Sequence, residues 1–204
     1  MNIMKDKITV VIPCYNELLY IGNLLDDLAN QYGIKGVNVI IADNNSNDGT
    51  LSVIQDKKNK YNGLLNIKVV DGGNVSRARN NGSEFVETLY IGFIDADVRL
   101  YSTTQIWDTI QNLEDGYELI TCKLKSYGDK KLTGWLYSLY NFIHSYMIKY
   151  HPFAIGAYMF METNKFREFG KFDEWNDNSE DFLFSQNFKV DKFLVQNHFI
   201  GQDD

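Results

Sequence analysis

Residues that cross-link, interrupt or ligate are scarce in this sequence: 204 residues include two cysteines, two prolines and three histidines. Cys14 and Cys122 show no metal-ligand spacing, and they fit a reduced, intracellular setting. No linker rich in proline, glycine or serine divides the chain, and no internal repeat or low-complexity tract is present. We therefore predict one domain over residues 1–204.

Long apolar runs and basic clusters are also absent. No apolar stretch reaches the ~20 residues that span a bilayer, and the N-terminal MNIMKDK contains no apolar signal region. The formal net charge is −7 and the basic residues are scattered. Nucleic acid is not an expected partner, because binding a phosphate backbone requires a basic stripe. We predict a cytoplasmic protein and leave open a peripheral contact with a membrane surface.

Short apolar runs alternate with segments of helical periodicity. The predicted strands are 8–12, 37–42, 67–70, 89–94, 117–124, 155–161 and 192–200. The predicted helices begin at Leu18, Thr50 and Ser76 and cover 106–113, 132–150 and 182–188. This alternation implies an α/β fold with a mainly parallel central sheet flanked by helices. For the amphipathic helix at 132–150 we favour core packing, with a lipid interface as the alternative.

The most polar loops follow predicted strands, at 13–17, 43–49 and 95–97. Ligands of such sheets bind at the carboxyl ends of the strands. Asp95 and Asp97 flank one small residue there, and carboxylates of this kind bind hard divalent cations such as Mg²⁺. A solvated turn or a helix cap is the alternative for so short a pattern.

Other candidates each have two interpretations. Asp43 fits a contact with a base or ribose, whereas we assign Asn45, Ser46 and Asp48 to turn and capping chemistry. Tyr15 fits stacking on a base or simple packing.

Two basic and two acidic residues lie at predicted helix starts. Arg77 and Arg79 fit either a diphosphate contact or a surface salt bridge, and we expect only one of them to reach a ligand. Glu180 and Asp181 fit a helix cap or a general base for an acceptor hydroxyl.

Small residues at Gly156 and Ala157 fit close approach of a sugar or tight strand packing. His198 fits a metal ligand or an incidental histidine, and we interpret His144 and His151 as structural or solvent-facing.

Six motifs follow one another along the chain: IPCYNE at 12–17, ADNNSNDGT at 42–50, SRARNNG at 76–82, DAD at 95–97, GAYMFM at 156–161 and SED at 179–181. FREFGKFDE at 166–174 joins the last two. The ordered set resembles the family 2 glycosyltransferases over about residues 8–188. The resemblance implies a GT-A fold, with a nucleotide-binding half at 1–100 and an acceptor half at 101–204.

The resemblance also implies roles for individual residues. The nucleoside pocket would comprise Pro13, Tyr15, Glu17 and Asp43. The diphosphate-sugar end would comprise Arg79, Asp95, Gly156 and Ala157, with Asp97, Asp95 and the late histidine His198 as ligands of Mn²⁺ or Mg²⁺. Asp181 matches the proposed catalytic base of the family, supported by Glu180.

The implied reaction is inverting transfer of a sugar from a UDP-, GDP- or dTDP-linked donor to an acceptor that the sequence does not identify. A sugar-nucleotide pyrophosphorylase is one alternative, but the segment IPCYNELLY lacks the glycine-rich loop that such enzymes need. The other alternative is a catalytically degenerate subunit that binds nucleotide sugar or acts as a scaffold. The presence of Asp97 and Asp181 argues against that alternative.

Overall fold

The computed structural model describes residues 4–126, 131–175 and 179–202, with the backbone alone at 131–133 and 202. The strands are β1 (Ile8–Cys14), β2 (Val37–Asp43), β3 (Leu65–Asp71), β4 (Tyr90–Ile94), β5 (Arg99–Leu100), β6 (Leu119–Ser126), β7 (Tyr158–Glu162) and β8 (Phe193–Gln202). The helices are α1 (Ile21–Ala29), α2 (Thr50–Lys60), α3 (Val75–Ser83), α4 (Gln105–Glu114), α5 (Lys131–Met147), α6 (Thr163–Glu168) and α7 (Glu180–Ser185). A 3₁₀ turn at Val190–Lys192 precedes β8.

Within the described residues these strands form one sheet, in the order β3-β2-β1-β4-β7-β6-β8-β5. Pairing is parallel from β3 through β2 and β1 to β4, and again between β6 and β8. β7 is antiparallel to both β4 and β6, and β5 is antiparallel to β8. The predicted α/β class is confirmed, and the parallel pairing is concentrated in the half of the sheet built from residues 8–94.

The antiparallel strand β7 lies between β4 and β6 in the sheet, and it begins at the end of the sheet where β4 finishes. Its first residue, Tyr158, pairs with Ile94, the last residue of β4. The backbone N–H of Asp95 therefore reaches the carbonyl of Ala157, at 3.3 Å. Parallel pairing would have placed the start of β7 at the opposite edge, far from the acids that follow β4.

Apolar side chains cover both faces of the sheet, as expected for strands between two helical layers. Along β1, Val10 and Ile12 pack on the face covered by α1, α2 and α4, while Val11 packs on the opposite face with α6 and α7. Helix α3 lies very close to β1, since a Cβ built on Gly82 would be 2.4 Å from Cγ1 of Val11. Glycine at this position therefore sets the depth at which α3 packs.

Several element boundaries differ from the prediction. β1 continues through Pro13 to Cys14, because beyond Val11 it pairs with β2 and no longer with β4, so a missing N–H is tolerated. The short elements β5 and α6 were not predicted, since two and six residues carry too little periodicity. Among the described residues, no helix combines the length and the hydrophobicity that a bilayer span requires.

Helix α5 has the predicted periodicity but the opposite orientation. The predicted apolar stripe points to solvent, with Trp135 61 % and Tyr146 57 % exposed. The inward side chains include Tyr137, Asn141 and His144, of which His144 is only 2 % exposed. Our interpretation of this stripe as core packing is therefore wrong, and the side chain of Leu132 lies outside the described residues.

Candidate active site

A cleft of about 250 Å³ opens at the carboxyl ends of β1 and β4, beside the first turn of α3. It is lined by Pro13, Cys14, Tyr15, Glu17, Gly73, Val75, Ala78, Asp95, Ala96 and Asp97. Five of the predicted site residues are in this set, and they come from loops about 80 residues apart in sequence. Tyr15 is 55 % exposed at the cleft, so its ring is not packed in the core.

The loops after β1 and β2 are tied together by hydrogen bonds. The backbone N–H of Asn16 donates to Ser46 Oγ at 2.9 Å, and that of Asn47 donates to Asn16 Oδ1 at 3.0 Å. Asp48 accepts from the N–H of Leu18 at 3.1 Å and from that of Thr50 at the start of α2 at 3.0 Å. The turn and capping residues thus also fix the wall of the cleft that carries Tyr15.

Asp43 lies behind this wall rather than on the lining. Its carboxylate accepts from the N–H of Ser46 at 3.0 Å and from Ser46 Oγ at 2.6 Å. It is 8 % exposed and neighbours Cys14, which does line the cleft. Burial, followed by the charge of Asp43, raises the pKa of the Cys14 thiol to about 12, so that thiol is neutral at physiological pH.

Three acids, Glu17, Asp95 and Asp97, share the mouth of the cleft. Burial raises the pKa of Glu17 to about 7, and the negative charges of Asp97 and Asp95 add to the effect. Within the described residues, no group of three or more His, Cys, Asp or Glu side chains is arranged to hold a metal ion by itself. The cleft therefore concentrates negative charge without forming a complete protein-only metal cage.

Arg79 is a buried charge that connects the cleft to helix α7. Its side chain is 2 % exposed, with Nη2 2.7 Å from Asp95 Oδ1 and Nη1 2.6 Å from Glu180 Oε1. Its guanidinium also lies over the ring of Phe172, 5.5 Å from the centroid. Both terminal nitrogens thus bind carboxylates, the arrangement in which a buried guanidinium is compensated. Arg79 reaches the predicted site, but through these two acids.

Asp181 and Arg79 both approach Gly156 on the side where a Cβ would lie. The N–H of Gly156 donates to Asp181 Oδ2 at 2.8 Å, and the N–H of Phe182 donates to Oδ1 at 2.7 Å. A Cβ on Gly156 would be 2.9 Å from Arg79 Nη2 and 3.1 Å from Asp181 Oδ2. The absence of a side chain at this glycine therefore lets the arginine and the acid approach each other.

Helix α5 contributes Tyr140 to the neighbourhood of this acid. Burial, with a contribution from the charge of Asp181, raises the pKa of Tyr140 to about 12. The Tyr140 ring stacks on His144, which contacts Phe153, and Phe153 in turn contacts Phe182 beside the acid. Tyr140 was not predicted, because one tyrosine among several on an amphipathic helix has no distinguishing spacing.

His198 does not join the acids of the cleft. Its Nε2 lies 2.8 Å from Asp108 Oδ2 on α4. β5 pairs with β8 in antiparallel register, with Arg99 opposite Gly201 and Leu100 opposite Ile200. In this register, the residues of β8 that lead back to His198 lie progressively farther from Asp97. The structure therefore does not bring His198 together with Asp95 and Asp97, the other predicted metal ligands.

Arg77, the second predicted arginine, lines a separate cavity with Asn74, Glu174 and Trp175. The expectation that only one of the two arginines reaches the site agrees with this separation. Gly73, Val75 and Ala78 line the main cleft and were not predicted. The adjacent glycines at 72 and 73, before a helix start, were the available signal for them.

The fold and the position of the cleft define the GT-A class, and solved structures agree. The chain superposes on S. aureus TarS 1–349 in complex with UDP with a TM-score of 0.73 and 20 % identity, over 97 % of this chain and 60 % of that one. For the mannosyltransferase PcManGT from Pyrobaculum calidifontis in complex with GDP-Man and Mn²⁺, the TM-score is 0.75 and the identity 17 %, over 97 % and 57 %. These likenesses confirm the predicted fold.

The family model described as glycosyl transferase family 2 matches residues 9–176, and the chain belongs to this family. A poly(ribitol-phosphate) beta-glucosyltransferase of Bacillus spizizenii is 34 % identical over 93 residues, which are 45 % of this chain and 15 % of the relative. A GalNAc(5)-diNAcBac-PP-undecaprenol beta-1,3-glucosyltransferase of Campylobacter jejuni is 29 % identical over 116 residues, 54 % of this chain and 36 % of the relative. The chain thus corresponds to a minor part of the length of these relatives.

Proposed function

We propose that this chain transfers a sugar from a nucleotide-diphosphate donor to a hydroxyl of an acceptor, with inversion at the anomeric carbon. The observation that carries the proposal is the line of contacts from Asp95 in the cleft through Arg79 to Glu180, next to Asp181. This line of contacts supports a general base at Asp181 beside a diphosphate-binding cleft. The transferase names of the relatives and the nucleotide-sugar ligands of the structural neighbours support the same class of reaction.

The donor would bind in the main cleft. Tyr15 is exposed there and offers a ring face on which a base can stack. Asp43 lies one layer behind and would act on the base or ribose by fixing the loop through Ser46. The structural neighbours were crystallised with UDP-GlcNAc, UDP and GDP-Man, and a UDP-, GDP- or dTDP-linked donor is the class we propose.

A divalent cation, Mn²⁺ or Mg²⁺, fits the acids at the mouth of the cleft. Asp97 and Asp95 would supply oxygen ligands, and such ions commonly take one or two carboxylates while substrate phosphates complete the shell. The raised pKa of Glu17, caused by burial and by these two neighbours, indicates the excess of negative charge that a cation relieves. When bound, the ion would neutralise charge on the departing nucleoside diphosphate.

Asp181 would accept the proton of the acceptor hydroxyl as the oxygen of that hydroxyl attacks the anomeric carbon. The new carbon–oxygen bond forms while the bond to the diphosphate oxygen breaks, and the diphosphate leaves with the electron pair. The N–H groups of Gly156 and Phe182 orient the carboxylate of Asp181, and Glu180 with Arg79 fixes the start of α7. These contacts hold the carboxylate of Asp181 in one orientation, as a general base requires.

The decisive experiment compares Asp181→Asn with Asp97→Ala. We expect Asp181→Asn to bind nucleoside diphosphate nearly as the wild type does, while turnover falls by about 10²–10⁴-fold, because the base acts in the transition state. We expect Asp97→Ala to lose the metal-dependent part of donor binding, measured by calorimetry with and without Mn²⁺. Asp115→Asn, an exposed change at the end of α4, serves as the control.

Two results would contradict this assignment. Wild-type turnover in Asp181→Asn would remove Asp181 as the base. Donor binding without any donor hydrolysis or transfer in the wild type would favour the alternative of a catalytically degenerate subunit.

A further inference from the structure

Among the described residues, eight exposed large apolar side chains are concentrated on the outward face of helix α5 and the turn after it. Its side chains are between 40 % and 71 % exposed. They are Trp135, Leu136, Leu139, Phe142, Ile143, Tyr146, Met147 and Tyr150. We call this set the α5 face. Exposed apolar patches of this kind mark sites of interaction, because water contact with large apolar side chains is unfavourable compared with burial.

The orientation of α5 is fixed by polar contacts on its inner side. The Asn141 side chain donates to the carbonyl of Leu124 at 2.7 Å and accepts from the N–H of Leu124 at 3.0 Å. His144 Nε2 lies 2.5 Å from the carbonyl of Phe153. Rotating α5 to bury its apolar face would break these bonds and leave backbone groups of β6 without partners. The α5 face is therefore a stable outward surface.

Charge is distributed unevenly around this surface. Residues 119–161 contain five lysines and one acid, Asp129, although the whole chain has a net charge of −7. Helix α5 itself contains no aspartate or glutamate. Lys149 projects beside the α5 face, with its Nζ 5.8 Å from the centroid of the Tyr146 ring. In sequence, the α5 face is therefore flanked by Lys130 and Lys131 before it and by Lys149 near its end, with no acid inside the helix.

We infer that the α5 face docks on an anionic lipid bilayer, with its aromatic side chains at the level of the headgroups. Aromatic and aliphatic residues on one helical face, with lysines at its ends, are the chemistry of an interfacial helix. Lysines near an anionic surface add electrostatic attraction that salt screens. The usual polar face of such a helix is taken here by the protein body through Asn141 and His144.

Docking in this orientation has a consequence for the active site. The inner side of α5 carries Tyr140 and His144, and the ring contacts from Tyr140 through His144 and Phe153 lead to Phe182, the neighbour of Asp181. The acceptor side of the site would therefore lie under the bilayer-facing helix. This step rests on the proposed function: the acceptor hydroxyl would then reach the site from the lipid surface. The donor cleft, on the β1 and β2 side of Asp95, would remain open to water.

Vesicle flotation of the full chain tests the inference. We expect the wild type to float with vesicles of phosphatidylglycerol and phosphatidylcholine, and much less with phosphatidylcholine alone. The double variant Trp135→Ser/Phe142→Ser should lose at least tenfold in the partition coefficient, and Lys149→Glu should lose a smaller, salt-sensitive part. Leu89→Ser, at a site 53 % exposed elsewhere on the surface, is the matched control and should float as the wild type does.

The outcomes separate lipid from other occupants of the face. Wild-type protein that stays unbound on the anionic vesicles, or a double variant that floats unchanged, would overturn the inference. A dimer in solution that becomes a monomer on Trp135→Ser/Phe142→Ser, without any vesicle binding, would assign the face to a second copy instead. Nucleotide binding, measured on the same samples, shows that the variants are folded and fails separately if the proposed function is wrong.

Discussion

The two sides of the active site are constructed differently. On the donor side, backbone N–H groups and short side chains of the loops after β1 and β2 bind one another, as in the contacts of Asn16 with Ser46 and of Leu18 with Asp48. On the acceptor side, ion pairs hold the segments together, with the buried Arg79 between Asp95 and Glu180. The donor side is thus set by local turn chemistry, whereas the acceptor side depends on three segments meeting through one guanidinium.

That difference predicts where substitutions are most costly. The donor loops are held by several partly exposed hydrogen bonds, so the loss of any one should lower the free energy of unfolding only slightly. A buried ionic junction has no such redundancy, because removal of one member leaves its partners charged and unpaired. Four substitutions test this contrast, from the ion pairs of Arg79 to the loops after β1 and β2.

Removal of the junction itself should have the largest effect. In Arg79→Ala the carboxylate of Glu180, 9 % exposed, and that of Asp95 lose their common partner. An uncompensated buried charge costs about 3–5 kcal/mol, which we expect as the loss in the free energy of unfolding in urea. Arg77→Ala, two residues away and exposed, should change stability by less than about 0.5 kcal/mol. Equal losses in both variants would show that the ionic junction is not the stabilising feature.

Substitution of Gly156, which Arg79 and Asp181 approach closely, should have the next largest effect on stability and turnover. Gly156→Ala places a methyl group 2.9 Å from Arg79 Nη2 and 3.1 Å from Asp181 Oδ2, so one of them must move. We expect a loss of about 1–3 kcal/mol from overpacking and a fall in turnover larger than any change in nucleotide affinity. Gly134→Ala is the control, because a Cβ there meets nothing within 4 Å. In a helix this change should stabilise by about 0.5–1 kcal/mol.

The acids of the donor cleft should show their repulsion in a pH profile. Burial, then Asp97 and Asp95, raises the pKa of Glu17 from 4.5 to about 7. The folded state then binds more protons than the unfolded state between these values, so stability falls as pH rises from 4.5 to 7. Glu17→Gln should remove this fall and gain about 1 kcal/mol over the wild type across that window, a modest figure because the side chain is partly exposed.

Urea unfolding in a chelator, at pH steps from 4 to 8, measures this profile. Glu87→Gln, an exposed change, should leave the wild-type slope intact. A Glu17→Gln variant with the same slope as the wild type would mean that the pKa of Glu17 is not raised in the folded state.

The same contrast explains what the sequence could and could not predict. The positions of Pro13, Tyr15, Glu17, Asp95 and Asp97 at one cleft follow from strands that end at one edge, a local property that periodicity reveals. The contact of Arg79 with Glu180 joins residues 101 apart. No spacing rule encodes such a contact, because it depends on the antiparallel insertion of β7.

Helix α5 shows a second limit of sequence reasoning. Its period was predicted, but periodicity gives a face and not its direction. The direction was decided by Asn141 and His144, which bind backbone groups of their neighbours and turn the apolar stripe outward. A polar residue that satisfies a strand edge can therefore outweigh the preference of apolar side chains for the interior, provided that another surface covers them.

The smallest effect should come from a single link between the donor loops. Ser46 Oγ accepts from the N–H of Asn16 and donates to Asp43 Oδ1, so Ser46→Ala removes two bonds at a partly buried site. We expect a loss of about 1 kcal/mol in unfolding free energy and a few-fold weaker binding of nucleoside diphosphate, since Tyr15 and Cys14 would be less firmly placed. Ser52→Ala, exposed on α2, should change neither quantity. A loss in Ser46→Ala as large as that in Arg79→Ala would remove the distinction between the two sides, because the loop network would then be no more redundant than the buried junction.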